Sequence, residues 1–260
     1  MLKDGWKKRC VSYESIHSID PQDISILVES LEIRDSDIIA DLMCGYGAVA
    51  SEVLKQAREK GIGINLILLD AYLEQIKRVP SHVNCRRLIE DIRQSSIEPG
   101  SVDKAVIKMG LHELPAEDQQ SVVDRIYRIL KQGGILSVWD VMHMTLEDQT
   151  LFRLIISKKD KLAGFESFVE KRYFFRQSEI EEYLKNAGFN VEFVHEIRYR
   201  LHTSKRLDTE FGGDKGKLEE WNQYVREVVP DSMKERLEFR DRGENISMTL
   251  RKGIIRGKKK

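Results

Sequence analysis

The sequence predicts a doubly wound α/β fold: a mostly parallel seven-stranded sheet with helices on both faces, an N-terminal helical segment before it and one long insert within it. Three observations lead there. From about residue 38, short apolar runs alternate with amphipathic stretches, the pattern of strand–helix units packed into a parallel sheet. One junction, Ile38-Ile-Ala-Asp41-Leu-Met43-Cys44-Gly45-Tyr-Gly47, carries a strand through a glycine turn into a helix. The last apolar run, Ile246-Ser-Met-Thr-Leu250, alternates strictly after the turn-rich Asp241-Arg-Gly-Glu-Asn245, as a closing strand does.

The strands expected in order are 38–42, 65–69, 83–88, 103–109, 134–140, 189–199 and 246–251, each short and mostly apolar. Helical crossovers are expected over 48–60 and 116–130, the second with Val122, Ile126, Ile129 and Leu130 at three-and-four spacing, and Gly61 and Gly133 are their expected stops. A further helix over 178–186 has Ser178 as its expected N-cap, Glu181 three residues on, and Ala187-Gly188 at its end. These elements divide the chain into a helical cap (1–34), a core (35–201 plus 246–254), an insert or lid (202–245) and a basic tail (255–260).

Composition narrows what such a domain does. The 260 residues carry 43 basic and 43 acidic side chains, so no net field draws the chain to nucleic acid or an anionic membrane. Apolar residues at 41% and only five prolines exclude a disordered chain. No run approaches the ~20 apolar residues of a spanning helix, and the N-terminus is no signal peptide, so a cytoplasmic protein is expected. Cys10, Cys44 and Cys85 form no CxxC pair, which predicts reduced thiols and no metal site. The basic tail around Lys258 is expected to be solvated.

The most informative residues are acids at strand ends. Gly45 and Gly47 let the backbone turn tightly and approach a ligand, while Asp41, just before them, suits a bound cation or amine and would repel a pyrophosphate. Gly45-x-Gly47-x-x-Ala50 with Asp70 further on also satisfies the loose dinucleotide fingerprint, which keeps an oxidoreductase open as an alternative. Asp70 ends the second strand, where a carboxylate takes two ribose hydroxyls, and Asp91 ends the third, where it accepts from an adenine amine with Ile92 against the ring.

The ordered set Asp41-x-x-x-Gly45-x-Gly47, Asp70, Glu90-Asp91-Ile92 before Ser101-Val-Asp103, and Leu130-Lys-Gln-Gly-Gly134-Ile-Leu resembles the class I S-adenosylmethionine-dependent methyltransferases over roughly residues 35 to 200. The resemblance implies their Rossmann-like fold and S-adenosylmethionine as cofactor. It implies that the glycine loop, with Met43 and Cys44, holds the methionine part, that Asp70 and Ala71 meet the ribose, that Asp91 and Ile92 meet the adenine, and that Lys108 completes the set. In this family an N-terminal helix folds over the cofactor, which gives Tyr13 a cofactor contact; the other reading of Tyr13 is a core anchor. Met43 departs from the family, which usually has glycine there. A long side chain at this position crowds the cofactor's amino acid end or turns into the core.

Methyl transfer is an in-line displacement that needs alignment and dryness more than catalytic groups. Where the acceptor must lose a proton, a base beyond the fourth strand serves, and Lys108-Met-Gly-Leu-His112-Glu113 occupies that place. His112 is the candidate base, and Glu113 orients it or binds an amine. After the fifth strand come His143, near the same face, and Met142 and Met144, expected as packing; segments 151–175 and 202–245 are expected as lid. The expected activity is methyl transfer to a small-molecule acceptor by a monomer or homodimer without nucleic-acid partner. The alternatives are a protein or RNA methyltransferase and an inactive cofactor-binding partner protein, for which Met43 is the best support.

Overall fold

The computed structural model describes residues 19–169 and 171–260. Trp6, Tyr13 and His17 lie outside the described residues, so the cofactor contact expected of Tyr13 does too. The chain divides into two compact units. One comprises Ile19–Val141, Gln177–Glu196 and Gly253–Lys260; the other comprises, among the described residues, Met142–Arg176 and Ile197–Lys252.

The first unit opens with α1 (Pro21–Glu29), whose N-cap Asp20 accepts from the Gln22 amide at 2.8 Å and whose first turn holds a proline where no amide is needed. Then come β1 (Ile38–Leu42), α2 (Ala48–Lys60), β2 (Asn65–Asp70), the short α3 (Leu73–Ile76), β3 (Arg86–Ile89), β4 (Val102–Lys108), α4 (Ala116–Ile129) and β5 (Leu130–Val141). Short 3-10 turns at Ile92–Gln94 and Leu111–Glu113 follow β3 and β4. After the excursion through α5 (Leu146–Leu162) and α6 (Glu166–Val169) come α7 (Gln177–Ala187) and β6 (Phe189–His202). The chain continues through α8 (Lys215–Val228), α9 (Asp231–Lys234) and β7 (Arg240–Asp241) to β8 (Ile246–Lys259).

The eight-stranded sheet runs β3-β2-β1-β4-β5-β8-β6, with β7 pairing β8 off this path. β1 through β5 pair in parallel, and β7 joins β8 antiparallel. β6 and β8 contribute residues to each unit. Because β1 lies between β2 and β4, the chain reverses its direction of winding there, which opens a crevice beyond their carboxyl ends.

Several boundaries differ from the sequence reading. The third strand begins at Arg86 rather than 83. α4 stops when Leu130 turns extended, not at Gly133; Gly133 (φ 75°) sits inside β5, in a bulge that takes the register from Val102↔Leu130 to Lys104↔Ile135. α7 begins at Gln177, so Ser178 is not its N-cap. Residues 255–259, expected as a solvated tail, end β8, and Lys259 Nζ donates to the carbonyls of Tyr127 (2.7 Å) and Leu130 (2.8 Å). These carbonyls lie where α4 passes into β5, and a cation is favoured at a helix C-terminus. β7 is an eighth strand that no periodicity announced.

The second unit takes in the two segments expected as lid and has a core of its own. Leu151 and Ile155 of α5 pack with Trp221 and Val225 of α8 and with Phe211, Ile246 and Met248, and Trp221 Nε1 donates to the Ile155 carbonyl at 3.0 Å. Beside it lies a buried ion network. Lys159 Nζ sits 2.8 Å from Asp160 and 2.6 Å from Glu210; Arg172 reaches Asp160 at 2.9 Å and Arg206 reaches Glu210 at 3.1 Å. His143, buried in this unit, packs on Phe152. Met142 is buried, but Met144 is 59% exposed, so packing holds for only one of the two thioethers.

Breaking a buried ion network from one side leaves uncompensated charge. Lys159→Met is therefore expected to cost about 3 kcal/mol in urea unfolding followed by tryptophan fluorescence, since Trp221 belongs to this unit. A loss under about 1 kcal/mol would contradict the network's role.

Candidate active site

The glycine loop between β1 and α2 is held by two carboxylates. Gly45 (φ 55°) and Gly47 (φ 80°) both occupy the left-handed region that glycine adopts without strain, and a Cβ on Gly47 would come within 3.2 Å of Val79. The Gly45 amide donates to Asp70 Oδ2 at 2.9 Å, and the Tyr72 amide donates to Oδ1 at 2.9 Å. Asp70 thus pins the loop to the end of β2. Burial raises its pKa, tempered by those two amides. Ala71, immediately beyond, is exposed.

Asp41 lies deeper, 1% exposed at the end of β1. Its Oδ2 accepts from the Ala50 amide in the first turn of α2 (3.2 Å), while Oδ1 is buried with no hydrogen-bond partner. Burial pushes its carboxyl up to about 7, against the lowering effects of the Ala50 amide and the Lys108 ammonium. A buried carboxylate oxygen without a donor is costly, and a cationic ligand group relieves that cost. The residues present therefore fit the ammonium end of S-adenosylmethionine. Cys44 is no nucleophile: burial, with Asp41 and Asp70 close by, holds its thiol protonated.

Met43 and Met109 follow the ends of β1 and β4, and both are left-handed, at φ 56° and 55°. Each carries roughly 1 kcal/mol of backbone strain or more, which accounts for a preference for glycine at the position of Met43. Its side chain lies against Gly110, whose Cβ would fall 3.0 Å from Met43 Cβ and Sδ.

On the other side of the crevice, Lys108 ends β4 half-buried, its Nζ 5.4 Å from the centre of the Trp139 ring. Next comes the turn carrying His112 and Glu113, pinned from α4 by Gln119, which donates to the carbonyls of Leu111 (3.1 Å) and Leu114 (3.2 Å). His112 is 4% exposed and lies between two acids: Nδ1 is 2.5 Å from Asp140 Oδ1, and Nε2 is 3.2 Å from Glu113 Oε1. Burial alone would lower its pKa, but Asp140 and Glu113 outweigh burial and raise it to about 10. With a carboxylate at each ring nitrogen, His112 is held as an imidazolium that donates from both of them. Glu113 accepts from this imidazolium.

Asp140, wholly buried in β5, was not among the expected site residues. The rule that singles out acids at strand ends covers it equally, but its partner lies 28 residues away and meets it only through the β4–β5 register, Lys108↔Trp139. Asp91 differs from the other strand-end acids. It stands beyond Glu90, whose amide donates to the Asp70 carbonyl, but its oxygens accept from the Arg93 amide and guanidinium, which holds its carboxyl below the usual range. Ile92 is 3% exposed and faces the core. Among the described residues no group of three or more His, Cys, Asp or Glu could hold a metal ion, and no helix is long and apolar enough to cross a membrane.

Residues 39–134 match the family model described as a methyltransferase domain. Over 182 residues, 68% of this chain and 72% of the relative, the sequence is 27% identical to the carboxy-S-adenosyl-L-methionine synthase of Mannheimia succiniciproducens. Among solved structures it is similar to the YcgJ protein of Bacillus subtilis (TM-score 0.77, 14% identity, 93% of this chain and 99% of that one). It is also similar to a Haemonchus contortus N-methyltransferase bound to phosphomonomethylethanolamine and S-adenosylhomocysteine (TM-score 0.57, 17% identity, 99% of this chain and 58% of that one). At these identities the structural likenesses establish the fold.

Because the folded-state pKa of His112 lies above its unfolded value near 6.5, the stability it contributes is complete below about pH 6.5 and fades as pH rises through about 10. NMR titration of the histidine rings should show His112 protonated until about pH 10, and Asp140→Asn should bring its midpoint down. A wild-type midpoint near 6.5 would contradict the imidazolium.

Proposed function

We propose that the chain is a class I S-adenosylmethionine-dependent methyltransferase acting on a small-molecule acceptor, with Asp41, Asp70 and the glycine loop as the cofactor's seat. The observation that carries the reading is Asp41 Oδ1, buried and unpartnered beside a glycine turn clamped by Asp70. In this reading Asp41 accepts from the cofactor's ammonium. Asp70 keeps lone pairs for the ribose hydroxyls beyond those its two amide donors use, and Ala71 leaves room beside it.

S-adenosylmethionine, when bound, supplies a methyl group already activated on a sulfonium. The chain's own work is then alignment and electrostatics. Asp41, Asp70, Asp140 and Glu113 outnumber the cations Lys108 and His112, a balance that favours a positively charged ligand. Held by the His112 imidazolium, the Glu113 carboxylate suits an acceptor amine or hydroxyl as a hydrogen-bond partner. The recessed positions of His112 and Glu113, with side chains only 5% and 8% exposed, favour an acceptor small enough to enter, and the zero net charge argues against RNA. The same reading keeps the chain a cytoplasmic monomer or homodimer.

One observation favours a second reading. The curated relatives are named for making carboxy-S-adenosyl-L-methionine, which would make S-adenosylmethionine the substrate to be modified. Mass spectrometry of the incubated nucleoside separates the two: S-adenosylhomocysteine marks methyl transfer, and a heavier adenosyl sulfonium marks the second reading.

Calorimetry with S-adenosylmethionine tests the seat. Asp41→Asn should weaken binding by about 2 kcal/mol, roughly thirtyfold. Wild-type affinity should fall as pH drops below about 7, because the ligand's cation then has to displace a proton from Asp41. Unchanged affinity in the variant, or affinity flat across that range, would overturn the assignment.

A further inference from the structure

Two donors stand side by side at the carboxyl edge of the sheet with no hydrogen-bond acceptor to receive them. Trp139, near the end of β5, is 3% exposed, and its Nε1 is buried without a hydrogen-bond partner. Lys108, at the end of β4, is its register partner, so the two side chains leave the sheet on the same face, and the ammonium lies 5.4 Å from the centre of the indole ring. Among the described residues Lys108 makes neither a hydrogen bond nor an ion pair.

A buried N–H without an acceptor and a partly buried ammonium without a counter-charge are each unfavourable. Burial brings Lys108 down to about 8 even though Asp41 and Asp140 both hold its proton on. One ligand group relieves both donors: an anion with two oxygens, one for the ammonium and one for the indole N–H. A carboxylate has that form, and its single negative charge matches the single cation, whereas a phosphate dianion leaves charge uncompensated.

Position says which ligand carries that group. The sheet runs β2-β1-β4-β5, so Trp139 lies two strand spacings, roughly 10 Å, from the end of β1, where Asp41 and the glycine loop seat the cofactor, and further still from Asp70 on β2. In an in-line displacement the nucleophile approaches the methyl group from the side opposite the sulfur. With the cofactor over β1 and β2, the methyl acceptor takes the side of β4 and β5.

We propose that Trp139 Nε1 and Lys108 Nζ form a subsite for a carboxylate of the methyl acceptor, so that the acceptor class is a small carboxylic acid. This rests on the cofactor reading above and narrows it. Lys108, expected among the cofactor's contacts, thereby serves the acceptor, and Trp139 becomes a specificity-determining residue. A neutral amide of the same acid leaves the ammonium without its counter-charge and binds less well.

NMR of the three indole N–H groups in protein saturated with S-adenosylhomocysteine tests the subsite, with acetate as the probe, acetamide as its neutral counterpart and inorganic phosphate as the competing anion, at constant ionic strength. The resonance lost in Trp139→Phe assigns the reporter. Acetate should shift the Trp139 N–H saturably, and acetamide and phosphate should not; Lys108→Met should weaken acetate about tenfold or more, and Lys108→Arg should restore much of it. An unmoved Trp139 N–H, an equal response to acetamide, or equal acetate affinity in wild type and Lys108→Met would overturn the subsite, and a response to phosphate alone would overturn its assignment to a carboxylate. Acetate that binds the free protein and is displaced by S-adenosylhomocysteine would put the cofactor's own carboxylate in the subsite and overturn the proposal as well. Should Lys108→Met fail to fold, the wild-type preference for acetate over acetamide decides alone. Calorimetry keeps the two readings apart: a protein that binds no S-adenosylhomocysteine overturns the cofactor reading, and one that binds it while acetate leaves Trp139 unmoved overturns only the subsite.

Discussion

A carboxylate sealed at the end of β1 with one of its two oxygens unsatisfied is the constraint around which this site is organised. Desolvating Asp41 is unfavourable, and the fold meets only part of that cost through the Ala50 amide at the start of α2. The remainder is met only by a donor that the described residues do not include. The neighbouring features follow from keeping such a group in place: a glycine turn that brings backbone close, a second carboxylate, Asp70, that clamps the turn through Gly45, and an ammonium, Lys108, kept near without closing on it.

Backbone strain gathers at the same point. Met43 and Met109 are left-handed residues with full side chains, set at the ends of two neighbouring strands where the sheet reverses its winding. Strain of this kind persists only where the surroundings over-determine it. Here the determinants are the parallel register of β1 and β4 and the contact of Met43 with Gly110, which has no room for a Cβ. Met43 is thus accommodated by packing on a glycine just beyond the neighbouring strand β4.

The parts of the fold legible in the sequence were those written locally. β1, α2 and β2 announce themselves because an apolar run, a carboxylate, two glycines and an amphipathic run follow one another within 30 residues. Boundaries set by tertiary contacts were less legible: Leu130 leaves the helix three residues before Gly133 because it pairs with Val102, and β8 runs on to Lys259, whose ammonium turns onto backbone carbonyls while Lys258 and Lys260 stay exposed. In the site, the strand-end positions of Asp41 and Asp70 are legible in the sequence, whereas the contacts of His112 are not. A histidine between strand and helix reads as a base until a buried aspartate from the next strand and the adjacent glutamate occupy both its nitrogens, and the Asp140 pairing exists only in the folded register. Asp91 shows the reverse case, a well-placed acid whose oxygens a neighbouring arginine takes up.

The most direct test of the account is a crystal structure of the protein with S-adenosylhomocysteine. It should place the ligand's amino nitrogen within hydrogen-bond distance of Asp41 Oδ1 and its ribose hydroxyls on Asp70, with the glycine loop unmoved. A ligand bound elsewhere, or an Asp41 Oδ1 still without a donor in the complex, would contradict it.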